Sequence, residues 1–187
     1  MQKNYFQSGF TFTELLVTLA IFVLISGAIY GTFSLNQKSY REGENLAEIT
    51  QNGRVTLERI TREIRQAEEI VTELSDDESG ATSTILFQDG HDITTIHYIH
   101  YFKQGTDIKR EVIAYYFSGD PSHFVPWDAI PPQGQQKIAT TTSESVIIGE
   151  YVKSFGLWSS PVVNISLTLE KAGKEINLKT KIFGRNL

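Results

Sequence analysis

The sequence predicts an α+β fold: a long N-terminal helix, half membrane-spanning and half amphipathic, packed on an antiparallel β-sheet head. Three observations predict it. Residues 10–35 are almost wholly apolar. From there to about Val71, apolar residues recur at three- and four-residue steps, the period of a helix with one buried face. Beyond Val71 the pattern changes to short runs rich in Ile, Val, Tyr and Phe with turn residues between them, the signature of strands and hairpins.

The apolar run comes first. About 26 residues at a helical rise of 1.5 Å give roughly 39 Å, more than the roughly 30 Å of a bilayer's hydrocarbon core. Such a segment spans with some tilt. A secretory signal has a shorter apolar stretch ending in a small-residue cleavage site; this run instead continues into an amphipathic helix. Lys3 precedes the run and favours a cytoplasmic N-terminus, while Lys38 and Arg41 follow it closely. All five prolines lie from Pro121 onward, so none interrupts the anchor. Gly27 and Gly31 form a small-xxx-small pair that permits close helix contact, although glycine is common in membrane helices. The anomaly is Glu14, a carboxylate near the start of a span, where ionisable groups are costly. A plain signal anchor leaves it unexplained unless it merely reaches headgroup water.

In the amphipathic half, Leu46, Ile49, Gly53, Leu57, Ile60, Ile64, Ala67 and Val71 mark the buried face. Glu58, Arg59, Arg62, Glu63, Arg65 and Glu69 mark the opposite one. The pairs Glu58–Arg62, Arg59–Glu63 and Arg65–Glu69 stand at i,i+4, each worth about 0.2–0.5 kcal/mol, so this charge cluster reads as a solvated helix face. Gly43 and Gly53 are positions where the helix would bend or fray.

The turn Ser75-Asp76-Asp77-Glu78-Ser79-Gly80 then leads to expected strands at residues 84–88, 93–102 and 108–117. Residues 118–143, rich in Pro, Gly, Gln and Thr, read as a long surface loop. Further strands are expected at 145–152, 162–170 and 175–183, the last two joined by Lys171-Ala172-Gly173-Lys174.

Composition narrows the function classes. The chain has 187 residues and a formal net charge of -5. Mild acidity argues against a nucleic-acid partner, whose binding rests on basic patches. The sequence contains no cysteine, which excludes disulfides and thiolate chemistry and leaves the head to its apolar core. There is no G-x-S-x-G elbow and no P-loop. His97 and His100, three apart in an expected strand, face opposite sides. His91 with Asp89 and Asp92 reads as a polar hairpin turn. Asp76, Asp77 and Glu78 read as an acidic solvated turn, since calcium needs six to eight oxygen ligands. Trp127 and Trp158 fit either core or a partner-facing surface. No catalytic constellation, metal site or cofactor is expected.

The stretch Gly9-Phe10-Thr11-Phe12-Thr13-Glu14-Leu15-Leu16, behind a short leader with Lys3, closely resembles the prepilin peptidase signature of type IV pilins and pseudopilins. The resemblance implies cleavage after Gly9, methylation of the new Phe10 amine and an assembly role for Glu14. Glycine at the cut lets the backbone approach the peptidase closely. Residues Asn52-Gly53-Arg54, Leu57-Glu58-Arg59-Ile60 and Arg62–Ala67 are similar to the PilW and pseudopilin J branch, as is the ending Lys179-Thr180-Lys181-Ile182-Phe183-Gly184-Arg185-Asn186. The missing cysteine loop points to a minor subunit. The implied organisation is a leader at 1–9, a transmembrane helix at 10–35, its amphipathic continuation at 36–73 and a β-rich head at 74–187. The implied function is a non-enzymatic minor subunit that initiates or caps a type IV pilus or type II secretion pseudopilus. Its implied partners are the prepilin peptidase, other major and minor pilins or pseudopilins, the inner-membrane assembly platform and the membrane itself. Two alternatives stand beside it: an adhesive or DNA-uptake tip module, and a bitopic sensor with a coincidental leader.

Overall fold

The computed structural model describes residues 11–91, 95–141 and 145–183. It divides into two compact units, residues 1–44 and 45–187. A single helix, α1 (Phe12–Gln66), runs through the first unit into the second.

In the first unit α1 buries nothing. Phe12, Leu15, Leu16, Val17, Leu19, Phe22 and Leu24 are all exposed, as are Ile29, Tyr30, Phe33 and Leu35. This part of α1 is long and apolar enough to cross a membrane.

In the second unit α1 packs on β-structure through the face the periodicity predicts. Ile49, Leu57, Ile60 and Ile64 are buried, as is Ala67 just past the helix end, whereas Leu46, expected on this face, is exposed. Each large aliphatic side chain withdrawn from water there contributes about 1.5–3 kcal/mol. The expected bend at Gly53 does not occur. A Cβ at Gly53 would stand 2.7 Å from Leu178 and 2.8 Å from Leu169, so glycine is required because a sheet presses on the helix. We predict that Gly53→Val destabilises the head by about 1–3 kcal/mol through overpacking. Gly43→Ala, where nothing lies within 4 Å of the added carbon, should stabilise the helix by up to about 1 kcal/mol. Thermal melts of the full chain in detergent would show the opposite signs; equal shifts would refute the close-packing account.

The helix ends at Gln66, short of Val71. Residues 69–72 are instead drawn alongside the first strand, β1 (Thr84–Gln88): Gln88 N–H donates to Glu69 O, Val71 N–H to Leu86 O, and Ile70 bridges Phe87. Backbone pairing there replaces the last helical turn.

β1 opens an antiparallel sheet with β2 (Tyr98–Gln104), β3 (Asp107–Phe117), β4 (Asp120–Val125), β5 (Lys137–Thr141) and β6 (Val146–Gly149). β3 is long enough to carry two short strands along each edge. β2 pairs with its first part and β4 with its end, while β6 and β5 divide the edge opposite β2. The expected loop at 118–143 thus contains β4 and β5. They carry little apolar alternation and stay mostly exposed, so the length of β3, and no signal of their own, makes them strands.

The second sheet is β7 (Val152–Ser159), β8 (Val163–Lys171) and β9 (Lys174–Ile182) in that order. The expected strand at 145–152 is broken between the two sheets. Tyr151 takes a left-handed φ of 62° and turns the chain from β6 into β7. Three helix side chains hold this corner: Asn52 Oδ1 accepts from Glu150 N–H at 3.1 Å, Thr56 donates to Ile148 O at 2.9 Å, and the Tyr151 hydroxyl donates to Glu48 at 2.9 Å. The hairpin from β8 to β9 forms as predicted. Its two turn residues, Ala172 and Gly173, have φ of 49° and 76°, the pattern of the two-residue hairpin turn that matches strand twist.

Candidate functional site

The N-terminal segment holds the one sequence-predicted site residue that the structure describes. Gly9 and Phe10 lie outside the described residues. Glu14 sits in the first turn of α1. Its carboxylate accepts from Thr11 N–H at 2.8 Å and from the Thr11 hydroxyl at 2.9 Å, while Glu14 N–H donates back to Thr11 Oγ1 at 3.3 Å. This reciprocal arrangement is a capping box, in which two otherwise unpaired helix-terminal donors are satisfied together. The T-x-x-E spacing that encodes it is present in the sequence at Thr11 and Glu14. Glu14 therefore anchors the helix start with a negative charge at the positive end of the helix dipole. Around it the exposed surface mixes Phe12, Leu15 and Val17 with Thr13 and Thr18.

The remaining candidates are held by neighbours in ways that leave no reactive geometry. His91 meets Asp89, whose Oδ1 lies 3.0 Å from both its backbone N and its Nδ1, as expected of a polar turn; Asp92 lies outside the described residues. Asp77 accepts from Gly80 N–H and caps the short 3-10 turn Glu78–Gly80, and Glu78 pairs with Lys179. His97 lies edge-on to Phe124, while His100 stacks on Phe102 and meets Thr84 at 2.7 Å, so the two histidines go to different neighbours. Trp127 reaches Glu69 through its ring N–H at 3.4 Å, and Lys179 lies over the Trp158 ring.

One cluster not foreseen from the sequence has the residue types of a hydrolytic triad. Asp120 lies 2.6 Å from the Ser122 hydroxyl and 2.7 Å from His123 Nδ1. Catalysis needs the hydroxyl and the carboxylate on opposite ring nitrogens. Here Ser122 lies 3.3 Å from the same Nδ1, and both the Asp120 and His123 side chains are more than half exposed. The cluster is an exposed hydrogen-bonded group at the start of β4.

The charged face of α1 departs from its solvated reading at Glu63. Its Oε2 accepts from the Tyr101 hydroxyl at 2.6 Å and from Arg110 Nε at 2.9 Å, and Arg59 Nε lies 3.5 Å from Oε1. Burial, with the Glu63 carboxylate beside it, pushes the Tyr101 hydroxyl far above its ordinary range. This is a structural latch between helix and sheet.

A family model, the prokaryotic N-terminal methylation motif, matches residues 5–30. No curated protein and no solved structure matches the chain. The chain thus carries a type IV pilin-like N-terminal signal on a helix fit to anchor it in a membrane, and its fold is α+β, a long N-terminal helix packed on antiparallel sheets.

Proposed function

We propose that the chain is a minor pilin or pseudopilin, a structural subunit that initiates or caps a type IV pilus or a type II secretion pseudopilus. The supporting observation is the methylation motif at residues 5–30, set on a helix whose apolar first part buries none of its side chains. In this reading residues 1–9 form a cytoplasmic leader that a prepilin peptidase removes between Gly9 and Phe10. The Phe10 amine is then methylated. The anchor holds the subunit in the inner membrane with the head outside the cytoplasm, then passes into the fibre among other pilins or pseudopilins through the assembly platform. The exposed apolar surface that a membrane accommodates is the surface a bundle of similar helices would bury. Glu14 guides that docking and performs no chemistry.

The reading is tested by mass spectrometry of the N-terminal peptide from membranes and from sheared fibres. A peptide beginning at Phe10 and heavier by one methyl group is expected. An intact Met1 in the assembled protein would overturn the proposal and favour a bitopic anchor.

A further inference from the structure

Three arginines of α1 have no work in the fold. Arg54, Arg62 and Arg65 fall within roughly 80° of one another around the helix. Among the described residues none of them has a carboxylate partner, whereas Arg59, Arg110, Lys153, Lys171 and Lys179 do. They line a groove of about 740 Å³ together with Leu57 of α1 and with Leu178, Thr180 and Phe183 of β9 and its end. Glu58 is the one acid on the groove's lining, so the groove is positive in a chain whose net charge is -5.

The far wall of this groove is an open sheet edge. β9 pairs with β8, and among the described residues with no other strand. The two-residue turn at Ala172-Gly173 makes Lys171 and Lys174 a hydrogen-bonded pair, and bonded and non-bonded pairs alternate from there. The backbone N–H and C=O groups of Glu175, Asn177, Lys179 and Lys181 therefore point out along the free edge. The groove is lined by β9 from both faces of the strand, Leu178 and Thr180 from the inner and Lys179 from the outer. It opens along that edge. At its end Phe183, 71% exposed, also borders a second cavity of about 480 Å³ lined by Ile70, Leu74, Pro161, Val162 and Ile182.

We propose that the free edge of β9 receives an extended segment of a neighbouring subunit, added as a fourth strand. Its carboxylates alternate toward Arg54, Arg62 and Arg65, and an apolar residue enters the cavity beside Phe183. This rests on the reading of the chain as an assembly subunit. Strand addition draws affinity from main-chain hydrogen bonds and specificity from alternate side chains, and both requirements are met on one edge. Lys181, on the outer face of β9, guards the edge against indiscriminate pairing. A nucleic acid would use the arginines and leave the directional amides idle, and it would meet a chain of net negative charge.

The test uses the full chain in lipid nanodiscs. The probes are an eight-residue peptide alternating glutamate and valine, its lysine–valine counterpart, and a single-stranded oligonucleotide. The acidic peptide should bind and slow hydrogen exchange at the β9 amides. Arg62→Glu with Arg65→Glu should weaken it at least tenfold. Lys181→Pro should weaken it as much with the circular dichroism spectrum unchanged, because the lost N–H faces the free edge, where proline is tolerated. The idea fails if the lysine peptide binds equally well, or if acidic-peptide binding leaves β9 unprotected. It also fails if the oligonucleotide binds through the arginines without sensitivity to Lys181→Pro. Concentration-dependent self-association that the arginine variants abolish would assign the groove to a second copy and overturn it too. Processing is read separately: a chain cut before Phe10 that binds no acidic peptide loses this inference and keeps the assembly reading, whereas an uncut chain that binds it loses the assembly reading.

Discussion

Glu63→Ala is expected to destabilise the head by about 3–5 kcal/mol, the usual cost of removing one partner from a buried charged pair. Glu63 is 13% exposed and Arg110 19%, and the Tyr101 side chain is fully buried. Losing the carboxylate strands a guanidinium and a phenol in a space that admits little water to replace it. Glu63→Gln should cost less, since its amide oxygen still accepts from Tyr101 while its NH₂ group confronts Arg110. Tyr101→Phe should cost least, about 1.5–3 kcal/mol for a hydrogen bond to a charged group. The double variant Glu63→Ala with Arg110→Ala should be milder than the sum of the singles, because the second change removes the stranded charge. Denaturant melts of the full chain in detergent would rank these four variants and the Arg110→Ala single. A loss below about 1 kcal/mol for Glu63→Ala would place the latch with exposed surface ion pairs.

Glu63 also shows where local spacing stops informing. The sequence pairs it with Arg59 at i,i+4, and that contact exists, at 3.5 Å. Its closer partners, Tyr101 and Arg110, are 38 and 47 residues away, and no periodicity connects them. The expected pairs Glu58–Arg62 and Arg65–Glu69 do not form among the described residues; for the second, α1 stops at Gln66 and Glu69 turns to Trp127. The buried face of α1 was legible because it is repeated at helical steps, and β1, β8 and β9 were legible because apolar residues and a turn marked them. β4, β5 and the break before β7 were not. Their cause is non-local: the length of β3, and the bonds of Thr56 to Ile148, Asn52 to Glu150 and Glu48 to Tyr151 at the corner. Gly53 was legible as a glycine and misread as a bend, since its reason lies in Leu169 and Leu178.

The N-terminal signal was the most legible feature, and the structure gives its central residue a place as a helix cap beside the assembly role proposed for it. Glu14 closes a capping box with Thr11, so an alanine variant removes a helix cap and a negative charge together. The two roles separate in Glu14→Gln, because glutamine also serves at this position of a capping box and carries no charge. In the proposed reading, cleavage before Phe10 would create an α-amine whose reference pKa is about 7.7–8.0, and methylation would leave it able to hold a proton. In a fibre core of packed anchors a lone ammonium and a lone carboxylate are each strongly disfavoured, and each neutralises the other. The resemblance to pilins points to a neighbour's amine as the partner, which requires Glu14 to leave or share its bond to Thr11. Leader removal should be near normal in Glu14→Ala and Glu14→Gln, because the proposed cut lies at Gly9. Incorporation into sheared fibres should fall close to background in both. Glu14→Asp, which keeps the charge with a shorter reach, should be intermediate. Subunit counts in fibres, set against the processed pool in membranes, give the measurement. Normal incorporation of Glu14→Gln beside failure of Glu14→Ala would make Glu14 a helix cap and remove the charge pair from the mechanism. Normal incorporation of both would leave it an interfacial residue that reaches headgroup water.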